Sequence, residues 1–306
     1  MSLKLSDRAG KNCVRCNIIF TCKPEAIDEC DCRKIELSFE ETQFIATEYN
    51  ECVCNSCLLQ LKKEFHASQK PKAIFSWSGG KDSAYCLHKV LTENVFDVRY
   101  LLTTVNANFK RVSIHGVCEK LLDQQAAAIG IPLLKVEVSE GTNAEYERQM
   151  EAVLLKTKLE GIEYVIFGDI FLEDLRAYRE ANLAKVNMKA VFPLWKQNTT
   201  HLINDFMSKG FKTITCCIND GYFNEAWVGK EIDNDFLKAL PGNVDPCGEN
   251  GEYHTFCYEG PIFKNAIHFT IGEKVYKPLE IKLSDDSVCS TNAVTKGFWF
   301  VDLIPF

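Results

Sequence analysis

No stretch of this 306-residue chain stays apolar for the roughly 18 residues that would cross a membrane, and residues 1–11 lack the apolar core of a secretory signal. The expectation is a cytoplasmic protein with no membrane partner. Positive charge is also short: 35 Lys and Arg against 42 Asp and Glu leave a net charge of −7. That balance argues against a broad electrostatic grip on nucleic acid and favours small-molecule or protein substrates. A Walker A loop is absent, and so is any Cys-x-x-Cys pair after residue 57. The length suits one large domain plus a small one, or two of medium size.

Cysteine, by contrast, is plentiful: 15 residues, eight of them before residue 58. Without a secretory signal these thiols are expected to stay reduced. Cys13-x-x-Cys16, Cys22, Cys30-x-Cys32 and Cys52-x-Cys54-x-x-Cys57 stand at both ends of a segment too short to bury a core of its own. Structural zinc bound by four thiolates would supply the missing stability. Eight thiolates could complete two such sites, or one with spare cysteines, and a redox or disulfide module is the alternative. Catalytic zinc is disfavoured because the nearest histidine, His66, lies beyond the clusters. Between them, residues 38–49 read as a helix with Ser38 as N-cap and Glu41 completing a capping box, turning Phe39, Phe44 and Ile45 toward the metal-held core. Residues 64–72 read as a polar linker. Cys86, Cys118 and the Cys216-Cys217 pair lie in apolar stretches and read as core. The segment resembles the small cysteine-rich CWC family, with Asp31 where the family name places tryptophan.

A strand-like run over residues 73–77 stops at Ser78-Gly79-Gly80-Lys81-Asp82-Ser83, and a helical apolar pattern follows through Ala84, Leu87, Val90 and Leu91. Two glycines let the backbone approach an anion, and the new helix aims its unpaired N–H groups and positive dipole end at the same place. Lys81 adds a mobile cation; Ser78 and Ser83 add hydroxyls. The plainer reading is a surface turn. The hexapeptide resembles the PP-loop signature of the ATP pyrophosphatase superfamily, also called adenine nucleotide alpha hydrolase-like, which implies ATP binding and AMP-forming chemistry.

From residue 72 strands and helices alternate, with strands expected over 73–77, 97–105, 132–138, 164–167, 190–194 and 212–218, and the clearest helices over 117–129 and 145–159. This is an α/β pattern: a parallel sheet flanked by helices, with ligands at the carboxyl ends of the strands. Thr103 and Thr104 would then lie near the adenosine, unless they are ordinary strand threonines. Gly168-Asp169 ends another strand, where Asp169 could hold Mg²⁺ or cap the next helix. Asp82 is the second candidate for Mg²⁺. After residue 265, runs over 267–276, 277–283 and 297–303 suggest a small antiparallel extension.

Gly168-Asp169-Ile170 with Glu173-Asp174-Leu175-Arg176, then Phe192-Pro193-Leu194-Trp195, then residues 245–255 (Asp-Pro-Cys-Gly-Glu-Asn-Gly-Glu-Tyr-His-Thr) resemble the diphthine–ammonia ligase family over residues 72–265 or so. The resemblance implies a parallel-sheet nucleotide domain (72–195) and a smaller α+β substrate domain (196–306), here behind the cysteine-rich module (1–66) expected to bind zinc. It also implies a ligase that adenylates a carboxylate and amidates it with ammonia. In those ligases the acceptor is a modified histidine on elongation factor 2. ATP would contact Ser78 to Ser83, Thr103, Thr104 and Gly168. Lys81, Asp82, Asp169, Glu252 and His254 would be catalytic, and Asp174, Arg176, Glu249, Asn250, Glu252, His254 and Thr255 would meet the acceptor. Arg176 and Arg179 could equally pair with Glu173 and Glu180 on a solvated face. Relatives carrying the Asn250 and His254 variant are linked to cobamide salvage, so a cobamide intermediate is an acceptor candidate. ATP, ammonia and a small or protein-bound carboxylate are thus the expected partners, with a second copy of the chain also admitted. Sulfur transfer to tRNA and a non-catalytic nucleotide-binding module are the rival readings.

Overall fold

A computed structural model describes residues 10–23, 25–112, 116–139, 142–279 and 295–306. The chain divides into two compact units, residues 1–70 and 71–306.

The first unit opens with a hairpin of β1 (Gly10–Asn12) and β2 (Ile19–Thr21). Two 3-10 turns follow, Ile27–Glu29 and Asp31–Lys34, then helices α1 (Phe39–Glu48) and α2 (Asn55–Ser68). Ser38 caps α1 and forms the expected capping box with Glu41. The apolar core is small: Cys13, Val53, Cys54, Cys57, Leu58 and Leu61, with Phe44 and Ile45 packed against it. Phe39 does not join them. It is 72% exposed, because at 3.6 residues per turn it lies on the far side of α1 from Phe44 and Ile45. The expected linker also shrinks, since α2 continues to Ser68 and β3 begins at Lys72. The polar residues that suggested a linker form the solvated end of a helix.

The second unit holds two sheets. In the first, β3 (Lys72–Ser76), β4 (Asp97–Asn106), β6 (Leu133–Val138), β7 (Ile162–Ile166) and β8 (Lys189–Val191) are all parallel, in the spatial order β6, β4, β3, β7, β8. A two-residue strand, β5 (Arg111–Val112), pairs antiparallel with the end of β4. Helices α3 (Lys81–Glu93), α4 (Glu119–Ile129), α5 (Asn143–Lys158) and α6 (Glu173–Lys185) make the crossovers. Ala73, Ile74 and Phe75 of β3 are all fully buried, as a strand covered on both faces must be. The chain leaves β3 toward β4 on one side and returns to β7 on the other, so the strand order reverses at β3. In open parallel sheets that crevice is where ligands bind.

After α7 (Thr199–Ser208) comes β9 (Lys212–Asn219), which is not a sixth parallel strand as its apolar pattern suggested. It lies in a second, antiparallel sheet of order β10, β9, β12, β11, built with β10 (Tyr253–Glu259), β11 (Phe269–Pro278) and β12 (Gly297–Pro305). A strand buried on both faces reads alike in either kind of sheet. Helix α8 (Asn234–Ala239) lies between β9 and β10. The runs expected over 267–276 and 277–283 merge into β11 as far as Pro278, and the last residues of the second run fall outside the described residues. One continuous buried cluster joins Phe75 and Trp77 under the first sheet to Phe206, Phe211, Ile214, Phe256 and Leu303.

Candidate functional site

The loop between β3 and α3 is built by backbone geometry. Gly79 has φ +80°, a left-handed conformation that strains any side-chain-bearing residue, and a Cβ there would meet Gln125 Oε1 at 2.8 Å. Gly80 is the N-cap of α3 and has no side chain to satisfy the first-turn amides. Gly80 N–H donates to Ser78 Oγ (3.3 Å), Ser78 Oγ to Ser83 Oγ (3.1 Å) and Ser83 Oγ to the Gly80 carbonyl (2.9 Å). Both serines are thereby tied into the loop itself.

Gln125 of α4 is fully buried, takes Trp77 Nε1–H (2.9 Å), and donates to the carbonyls of Gly79 (3.0 Å) and Cys257 (2.6 Å). Cys257 N–H also donates to Gly79 O at 2.8 Å. Sequence reasoning missed Gln125, although a signal was present: it is a polar residue inside the apolar stripe Leu121, Leu122, Ala126. Gly168, after β7, packs on the same loop, where a Cβ would lie 3.2 Å from the Asp82 backbone. Residues from the ends of β3 and β7 thus meet at the point of strand-order reversal.

Lys81 is not the mobile cation that its place in the loop suggested. It is 3% exposed, and Nζ donates to Asp82 Oδ2 (2.6 Å) and to the Cys247 carbonyl, 5.3 Å above the Tyr253 ring. Burial alone would lower its pKa, but the Asp82 carboxylate outweighs that and raises it, so the ammonium stays charged. Its backbone N–H goes to Thr255 Oγ1 at 3.0 Å.

The loop of residues 245–252 closes over this centre. Glu252, 1% exposed, turns back on its own loop and accepts from Asp245 N–H (3.0 Å), Asn250 N–H (2.8 Å) and Asn250 Nδ2 (3.1 Å). Glu249 Oε1 accepts from Ile170 N–H at 2.7 Å, fastening this loop to the segment after β7. Burial first, and then the charge of Asp82, raise the Glu249 pKa to about 8. Asp245 takes the Thr199 hydroxyl at 2.7 Å. His254 stands half-buried in β10 opposite Cys217, and Asn250 is exposed at the loop tip.

Asp169 lies against Arg179: Nη2 donates to Oδ1 (3.1 Å), and Nε sits 2.7 Å from Oδ2, out of line for a hydrogen bond. Burial raises its pKa against the pull of Arg179. Arg179 covers the Phe167 ring at 4.3 Å, while Arg176 pairs with Glu180 (2.8 Å) and lies 4.9 and 4.6 Å from the rings of Phe192 and Trp195. Asp174 is exposed in the first turn of α6. Thr103 Oγ1 is buried with no hydrogen-bond partner among the described residues, whereas Thr104 lies by the Tyr146 hydroxyl. The acids expected for Mg²⁺, Asp82 and Asp169, each already face a cationic side chain. Among the described residues they form no compact ligand set.

In the first unit Cys13, Cys16, Cys54 and Cys57 bring their sulfur atoms within 4.8 Å of one another. Cys16 Sγ and Cys54 Sγ are 3.6 Å apart, close to the sulfur–sulfur edge of about 3.8 Å implied by a tetrahedral ion with bonds of about 2.3 Å. Burial would raise the Cys13 thiol, but N–H groups of Cys54, Cys16 and Arg15 outweigh it and bring its pKa down to about 6. Four thiols so placed fit a closed structural metal site. His66 is engaged elsewhere, 2.6 Å from Glu41.

Family models described as the diphthamide synthase N-terminal domain and C-terminal domain match residues 71–190 and 198–283. A third, described as cysteine-rich CWC, matches residues 13–59. The diphthine–ammonia ligase of Rattus norvegicus is 25% identical over 234 residues, covering 65% of this chain and 82% of the relative. That of Homo sapiens is 26% identical over 220 residues, 62% and 79% of the two chains. An uncharacterized protein of Methanocaldococcus jannaschii is 29% identical over 196 residues, 56% and 71% of the two. With the two halves of the site falling in the two halves of this match, the chain belongs to the diphthamide synthase family and carries a cysteine-rich CWC segment ahead of it.

Proposed function

We propose that this protein is an ATP-dependent, AMP-forming carbon–nitrogen ligase that adenylates a carboxylate and amidates it with ammonia. The observation that carries the reading is the junction of the glycine loop with β10 and the 245–252 loop, because it puts an anion-binding helix start beside a lid of fixed acids. Curated relatives named diphthine–ammonia ligase support the same reading.

In this reading the loop amides and the start of α3 hold the outer phosphates, and Mg²⁺ arrives with the triphosphate. The orphan Thr103 hydroxyl takes a nucleotide atom. Lys81 holds the lid closed and keeps positive charge behind the leaving pyrophosphate. Glu249 and His254 are the groups best suited to receive a proton from ammonium, Glu249 because its raised pKa places it near neutrality. Zinc on Cys13, Cys16, Cys54 and Cys57 is structural.

The relatives' name points to a diphthine-type acceptor, and a cobamide intermediate is the second arm of the assay. Thiolation of tRNA is disfavoured because Cys247, next to Lys81, is buried with its thiol pKa pushed up. The test supplies ATP, ammonium and each acceptor carrying ¹⁸O in its carboxylate. Label appearing in AMP is the expected result. Release of ADP would overturn the reading, and nucleotide binding without turnover on any acceptor would favour a non-catalytic module.

A further inference from the structure

We infer that the cysteine-rich unit holds a second metal ion, on Cys22, Cys30, Cys32 and Cys52, in addition to the one on its compact four-thiol set.

Three placements converge. The β1–β2 hairpin pairs Gly10 with Thr21, so Cys13 follows one strand at one end of the hairpin and Cys22 follows the other at the opposite end. The segment before α2 runs alongside: Cys54 N–H donates to Cys13 Sγ at 3.3 Å, and Lys11 bridges Glu51 at 2.7 Å. Cys52-Val53-Cys54 therefore offers Cys54 to the first set and Cys52 to Cys22, with Val53 buried between them. Asn55 Nδ2 donates to the Asp31 carbonyl at 3.0 Å and draws the Cys30-x-Cys32 turn against the same segment.

The four sulfurs consequently meet in a chain, Cys52 beside Cys22, Cys22 beside Cys30, Cys30 beside Cys32. They are more open than the first set, and an ion with sulfur bonds of about 2.3 Å would close the chain by side-chain rotation. Backbone N–H groups of Lys23 and Cys32 point at Cys30 Sγ, as those of Arg15 and Cys16 point at Cys13 Sγ. Such N–H groups stabilise a metal-bound thiolate. The Lys11 ammonium lies near both Cys22 and Cys52 and offsets their negative charge.

The segment also needs such an ion. Its two 3-10 turns bury no residue, Ile27 is 60% exposed, and the bridges Lys23–Glu29 and Lys34–Asp31 are exposed pairs that contribute little. Among the described residues of 22–34, only Cys30 is buried and only Cys32 packs against the core of the unit, and both are proposed ligands.

The test measures zinc in the full chain purified under a non-chelating phosphine reductant. Two thiolate sites give about two ions per chain. Cys52→Ser should drop the count by one, while Cys52→His, which keeps a ligand, should retain both. About one ion in the parent chain, or a count unchanged in Cys52→Ser, would overturn the inference. So would disulfides among these four cysteines in the metal-loaded protein. If Cys52→Ser loses both ions because the unit unfolds, Cys52→His decides: retention of both supports the site, and loss of both assigns Cys52 to folding alone.

Discussion

The backbone N–H of Lys81 donates to the hydroxyl of Thr255 at 3.0 Å, across 174 residues of sequence. The first turn of α3 is thus capped by a strand of the second sheet. With Cys257 N–H donating to the Gly79 carbonyl at 2.8 Å, the glycine loop is fastened to β10 at two points.

Replacing Thr255 with Val keeps the volume and leaves the buried Lys81 amide without its acceptor. Unfolding in urea should show a loss of about 1–3 kcal/mol, with Thr255→Ser close to the parent. A Val variant as stable as the parent would mean that the amide finds another partner.

Lys81→Met strips Asp82 of its counter-charge inside a closed site. The expected loss is about 3–5 kcal/mol of stability together with about 10²-fold in AMP formation. Adding Asp82→Asn removes the stranded charge, so the double variant should regain stability without regaining turnover. Chemical denaturation and an AMP assay on the same preparations separate the two effects.

Glu249 has a folded pKa of about 8 against an ordinary 4.5. Between those values the folded chain holds a proton that the unfolded chain has released. Stability from this group is complete below about pH 4.5 and is lost as pH rises toward 8. Glu249→Gln should therefore be relatively more stable than the parent at pH 8 than at pH 5. Parallel stability–pH curves would remove Glu249 as the titrating group.

Arg179→Met leaves Asp169, whose side chain is 15% exposed, without its cation. The cost should be about 3–5 kcal/mol, and most of it should be recovered when Asp169→Asn is added. A double-mutant cycle reads the coupling directly. An additive result would show that the pair does not act as a unit.

Local chemistry was legible wherever one stretch of chain carried the whole signal. The capping box at Ser38 and Glu41, the strand–loop–helix around Gly79 and Gly80, and the cysteine clusters all depend on neighbours in sequence. Roles that depend on a distant partner were not legible. The acid of Glu252 looked available and is spent on its own loop, and the register that separates β9 from the parallel sheet lies in β10 and β12, which follow much later in the chain.

By itself, the sequence determined that a glycine loop would join β3 to the start of α3 and that the first unit would be built around closely spaced cysteines, because backbone conformation and residue spacing are local properties. Tertiary structure alone decided that Lys81 turns inward, that Gln125 and Thr255 fasten the loop, and which four cysteines share one centre. A buried charge or an unpaired amide must find its partner wherever the packed chain brings one within about 3 Å, and that position is set by the fold.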